Sequence, residues 1–109
     1  MTTMRNSVQL IGHAGKDPEV KTILNDRKMA RFSLATNDYY TNNKGERVEQ
    51  THWHQITAWG KIAEIVEKEV AKGKQILVSG KLSTNNWEDK DGNKRYSVEV
   101  LANEIAVFS

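Results

Sequence analysis

One stretch of this chain, Lys61 to Lys72, carries helical periodicity, and alternating segments surround it. Ile62, Ile65, Val66 and Val70 form an apolar stripe at helical spacing, and Gly73 supplies the stop. Ser7 to Ile11 reads as a strand, broken by Gly12, Gly15 and Pro18 before a second extended piece from Glu19 to Leu24. Asn25-Asp26 marks a turn, as local side-chain hydrogen bonding by these residues favours. Met29 to Thr36 then puts Ala30, Phe32 and Leu34 on one face, with Arg31, Ser33 and Ala35 on the other. Asn37 to Glu49 is polar and reads as a mobile loop between strands. Beyond the helix, Gln75 to Leu82 places Ile76, Val78, Gly80 and Leu82 on one side. Asp91-Gly92 signals a tight hairpin turn whose two central residues tolerate positive φ. The last strand, Tyr96 to Phe108, is long enough to need a bulge or bend near Ala102 or Asn103.

Five strands with a single helix between the third and fourth imply an all-β, closed or nearly closed Greek-key barrel. Closure removes exposed sheet edges, and the helix plugs one end. This is the OB-fold pattern, whose strand face and hairpin loops bind oligonucleotides and oligosaccharides. The 109 residues support one domain spanning 1–109, and the net charge of +2 permits a polyanionic partner without demanding one. With no cysteine, neither a disulfide framework nor a thiolate metal site is available, which points to a reducing compartment. No secretory signal or membrane-spanning run is legible, so a soluble, cytoplasmic protein is expected.

The tryptophans carry the functional signal. As a strand, Trp53 to Trp59 holds Trp53, Gln55, Thr57 and Trp59 on one face, and His54, Ile56 and Ala58, with His52, on the other. The two indoles lie roughly 20 Å apart at ordinary strand rise. A core face would pair them with aliphatics; here polar side chains separate them. Large aromatics on a polar surface suit stacking on flat ligands with charged tails, of which nucleic acid bases are the commonest. The plainer alternative makes both rings core or subunit-contact residues. Trp87, beside the hairpin, either stands exposed or caps the barrel end.

Several motifs in order carry a resemblance. Val8-Gln9-Leu10-Ile11-Gly12 with Asp17-Pro18-Glu19, then Phe32-Ser33-Leu34-Ala35-Thr36, stand before Glu49-Gln50-Thr51-His52-Trp53-His54. Trp59-Gly60-Lys61-Ile62-Ala63-Glu64, Lys72-Gly73 and Asp91-Gly92 before Arg95-Tyr96 follow. Together they resemble bacterial single-stranded DNA-binding proteins from about Arg5 to Val107. The resemblance implies sequence-tolerant binding of single-stranded DNA in replication, recombination and repair, by a homotetramer of OB-folds located in the cytoplasm at the nucleoid. It implies no cofactor.

By the same resemblance, Trp53, Trp59 and Trp87 stack on bases. Tyr40 aligns with a position often held by an aromatic, and Tyr39 is its adjacent rival. Lys61 and Lys72 match phosphate-contacting positions, with Arg31 a weaker candidate. Gln55 and Asn85-Asn86 stand where relatives often carry basic residues, which lowers the electrostatic share of binding. Relatives also continue into a flexible linker with an acidic tip that recruits replication and repair enzymes. This chain stops at Ser109, so recruitment by that route is not expected.

Other readings are bland or weak. His52 and His54 share a strand face, but no third ligand completes a metal site, and a packed or subunit-contact pair accounts for them. Lys61 and Lys72 fit a solvated face, and Lys72 also suits a helix C-terminus. Nothing has the pattern of a nucleophile elbow, P-loop or carboxylate metal site, so no enzyme is expected. The alternatives are an OB-fold specialised for RNA or a replication-restart partner, and a nuclease on the same barrel.

Overall fold

The alternating segments form strands β1 (Val8–Ala14), β2 (Glu19–Ile23), β3 (Arg27–Thr41), β4 (Arg47–Trp59), β5 (Gln75–Glu88) and β6 (Lys94–Val107), with helix α1 (Lys61–Glu69) between β4 and β5. The structure is a computed structural model and describes residues 5–108. The sheet runs β1-β5-β6-β4-β3, and β3 returns to β1 through His13–Ala35 and Ala14–Leu34, closing a five-strand OB-fold barrel. The sixth strand, β2, follows β1 along the same edge of β3, so the two share one stave of the barrel. Among the described residues, no helix is long and apolar enough to cross a membrane.

Alternation built the core as expected. Ala30, Phe32 and Leu34 of β3 meet Ile56 and Ala58 of β4, Ile76 and Val78 of β5, and Val100 and Ala102 of β6. Ala63 and Val66 of α1 are fully buried against them, so the helix plugs one barrel end. Burying a side chain such as Val66 stabilises the fold by about 1.5–3 kcal/mol.

The helix ends earlier than its periodicity implies. Val70 is extended (φ −84°, ψ 131°), and Ala71 to Lys74 form a turn instead of a last helical turn. Tertiary bonds claim this segment. The Gly73 N–H donates to the Ala14 carbonyl at 2.8 Å, and the Lys72 N–H donates to the Asp17 carboxylate at 2.9 Å. Lys72 therefore lies beyond the helix, and Lys68 is the cation of its last turn.

The last strand carries its bulge where its length demanded one. Ser79 pairs with Glu104 and Gly80 with Ala102, leaving Asn103 as the extra residue. The bulge switches the inward set from Val100 and Ala102 to Ile105 and Val107, which keeps Glu104 out of the core.

The polar stretch from Asn37 to Glu49 is mostly strand rather than loop. Strands β3 and β4 stay paired to Thr41–Arg47, leaving only Asn42 to Glu46 as the connection. The Asn42 side-chain oxygen accepts the N–H groups of Lys44 and Glu46, both at 2.9 Å, and Gly45 takes φ 80°. The β5–β6 turn repeats this device. The Asp89 carboxylate accepts from Asp91 at 3.0 Å and Asn93 at 2.9 Å, and Gly92 takes φ 80°. Asp91 does not adopt positive φ, so the two-residue turn read from Asp91-Gly92 is replaced by a longer one with a single left-handed glycine.

Candidate nucleic-acid interface

Strands β4 and β6 run parallel, paired at Ile56–Val100 and Thr57–Leu101. Each is entered from a hairpin, so the β3–β4 and β5–β6 hairpins leave the same end of the barrel as two arms, while α1 occupies the other end. Trp53 stands at the base of the first arm with 62% of its surface exposed, and Trp87 lies near the tip of the second with 50% exposed. Neither is a core residue of the barrel.

Strand register decides which neighbours share a face with Trp53. It lies opposite Ala35, and the uninterrupted register then pairs Asn37 with Thr51 and Tyr39 with Glu49. Side-chain alternation therefore puts Tyr39 on the face of Trp53 and Tyr40 on the reverse, with His52 and His54. Tyr40, the expected stacking residue, thus lies on the face opposite Trp53, and its rival Tyr39 lies on the same face. Arg47 shares that face, its guanidinium 4.3 Å from the Tyr39 ring centre. On the reverse face His54 bonds Thr36 at 2.9 Å and His52 contacts Asp38 at 3.3 Å, so both imidazoles serve the arm.

Trp59 sits at the opposite, helix end of β4. It is half-buried, and the Arg27 guanidinium lies 4.8 Å from its ring centre. Lys61 is exposed at the start of α1, two residues on. Nearby Lys28 bonds Glu67 at 2.6 Å; this hydrogen bond raises its pKa and ties β3 to the helix. Between the barrel's two ends, Arg31, Ser33 and Gln55 share an outward depression with Lys16, Asp17 and Glu19. The bond from Lys72 to Asp17 brings the Lys72 backbone to this same region. Thr57 belongs to the outward face, as alternation required, yet it is buried, its hydroxyl donating to Glu99 at 2.7 Å.

The three tryptophans thus mark one outward face of β4 and the neighbouring arm, with cations distributed along it. Sequence reading missed Arg47, Arg95, Arg27 and Lys16. Arg47 was legible in principle, since it lies six residues before Trp53 and so has the same strand parity. Arg95 faces Trp87 across β5 and β6, and its Nε donates to Asp89 at 2.9 Å. That bond, with the N–H of Asn93 and then of Asp91, holds the Asp89 carboxyl below the usual carboxylate range. Tyr96 lies on the reverse of the second arm with 71% of its surface exposed.

Known proteins share both the sequence and this architecture. The chain is 39% identical to single-stranded DNA-binding protein 1 of Chlorobaculum tepidum, over 94% of its own length and 64% of the relative's. It is 41% identical to single-stranded DNA-binding protein 1 of Xylella fastidiosa, over 94% of this chain and 76% of that one. The chain thus spans less than two thirds of the Chlorobaculum protein. Among solved structures, the Plasmodium falciparum SSB in complex with single-stranded DNA superimposes with a TM-score of 0.90 at 27% identity, covering 100% of this chain and 99% of that one. A deletion mutant of the single-stranded DNA binding protein from Thermus aquaticus gives 0.84 at 30% identity, over 95% of this chain and 50% of that one. Residues 5–108 match the Single-strand binding protein family, and the chain belongs to it.

Proposed function

We propose that this protein binds single-stranded DNA, with bases stacked on Trp53 and Trp87 and on Tyr39 and Trp59 along the outward face. Arg31, Lys61 and Lys72 supply phosphate contacts, joined by Arg47 and Arg95 on the arms. The observation that carries this reading is the exposure of Trp53 and Trp87 on two arms that leave the same end of one barrel. Family membership supports it, as does the DNA-bound Plasmodium neighbour. Stacking is tolerant of sequence because every base has a π-face, and it contributes roughly 1–3 kcal/mol per base. The cations add a salt-dependent share through counterion release. The protein acts as a binding protein rather than an enzyme, coating and protecting unpaired strands in replication, recombination and repair.

It does so as a homotetramer. Ile11 is exposed on the outward face of β1, opposite Val8 and Leu10, which pack on the core. Strand β1 therefore offers apolar surface on both faces, as a strand lying between subunits requires. Sedimentation at micromolar concentration is expected to show no appreciable monomer.

Titration with polypyrimidine DNA tests the central claim. Tryptophan emission should fall strongly as binding saturates. Unchanged emission at a saturation shown independently by gel shift would refute the stacking assignment, and an equal affinity for RNA would redirect the reading toward RNA.

A further inference from the structure

Where β4 and β6 separate beyond their short parallel pairing, a groove of about 240 Å³ opens. Trp53, Gln55, Leu82, Val98 and Glu99 line it. The Glu99 carboxylate is unused by the stacking and phosphate contacts above. It is held at both oxygens. The Thr57 hydroxyl donates to Oε2 at 2.7 Å, and the Asn85 side-chain amide donates to Oε1 at 3.0 Å. Among the described residues, none of the ion pairs includes Glu99.

A fixed negative charge here disfavours phosphate, whose like charge it repels. It favours instead a partner that brings N–H donors. Each carboxylate oxygen has two acceptor directions, and Thr57 and Asn85 fill one on each. One direction on each oxygen is left for a partner that brings two N–H donors. Guanine is the standard base whose Watson–Crick edge offers them, at N1–H and the 2-amino group. Cytosine and adenine offer a single amino group on that edge, and thymine one imino N–H between two carbonyls. Trp53 and Gln55 form the β4 side of the groove, and Leu82 and Val98 are its apolar lining.

We propose that Glu99, positioned by Thr57 and Asn85, reads guanine at one place on an otherwise sequence-tolerant DNA path. This inference rests on the single-stranded DNA reading given above. It makes Glu99 a specificity residue and assigns Thr57 and Asn85 the positioning of its carboxylate.

The test uses thymidine strands of about 8 nucleotides, within the span of one OB-fold. Each carries a single central dT, dG or dI, and binding is followed by fluorescence anisotropy at fixed salt. Deoxyinosine lacks only the 2-amino group of dG, so ring size and stacking area stay closely matched. The wild-type protein should bind the dG strand about fivefold or more tightly than the dI strand, the lower range for a bidentate base contact. Glu99→Gln should bring that ratio close to one. Equal wild-type affinity for the dG and dI strands overturns the inference, while binding of the dT strand leaves the proposed function standing. A ratio that survives in folded Glu99→Gln also overturns it. Failure to bind any strand, all-dT included, overturns both. Because the wild-type ratio needs no variant, a folding defect in Glu99→Gln does not shield the proposal.

Discussion

The indole of Trp53 rests on the backbone of Gly15. A Cβ at residue 15 would come within 2.5 Å of Cζ3 and 2.9 Å of Cη2 of the ring. The backbone at Gly15 is not left-handed, so the constraint is one of space alone. The contact orients a largely exposed ring before any ligand arrives, which reduces the ordering cost of stacking. Gly15→Ala should displace the ring and weaken binding of single-stranded DNA by about 1 kcal/mol, part of a full stacking contribution. Melting temperature should change little, because the Gly15 N–H bond to the Ser33 carbonyl at 3.0 Å does not require glycine. Fluorescence titration and thermal denaturation on the same variant check both halves.

The two adjacent tyrosines should behave differently. Tyr39 shares the outward face with Trp53 and carries Arg47 on its ring, whereas Tyr40 faces the reverse. Tyr39→Ala should weaken binding by about 1 kcal/mol or more, and Tyr40→Ala by clearly less. Equal losses in parallel titrations would mean that the strand wraps both faces of the arm.

Trp53→Ala and Trp87→Ala should each cost about 1–3 kcal/mol of binding and leave circular dichroism unchanged, since both rings are exposed. Trp59→Ala should lose binding and stability together. Its ring is half-buried and stacked with Arg27, a pair worth about 0.5–1 kcal/mol at an exposed site. A melting temperature unchanged in Trp59→Ala would show that the contact with Arg27 does not support the fold.

Acid should loosen one arm before the other. Asp89 is held below its usual pKa by Arg95, then by the backbone N–H groups of Asn93 and Asp91. Its folded-state pKa lies under the unfolded value, so its stabilisation is present above that value. The contribution is lost as pH falls below about 4 toward the depressed folded-state pKa. The β3–β4 turn uses neutral Asn42 in the same role and should not respond. Amide chemical shifts of Gly92 and Gly45, followed through an acid titration, compare the two directly. Asp89→Asn should keep the turn and abolish its pH response.

Much of this molecule was legible before its structure. Alternation picked out Ala30, Phe32 and Leu34 as core, and the spacing of Ile62 and Val66 marked helix α1. The length of the last strand called for a bulge or bend near Ala102 or Asn103, where one falls at Asn103, and polar neighbours marked Trp53 as a surface aromatic. These features come from the pleat and the helical turn, whose periods are properties of neighbouring residues along the chain. Where those periods stop, and what lies opposite, was decided by residues distant in sequence. Ala14 and Asp17 took the segment after Glu69 from the helix, and cross-strand pairing turned most of the stretch from Asn37 to Glu49 into an arm. Placing Tyr39 rather than Tyr40 on the face of Trp53 needed the register, because a shift of one residue exchanges the faces of a strand. Thr57, Asn85 and Glu99 lie on three different strands, and only the pairing of β6 with both β4 and β5 brings them into one hydrogen-bonded group.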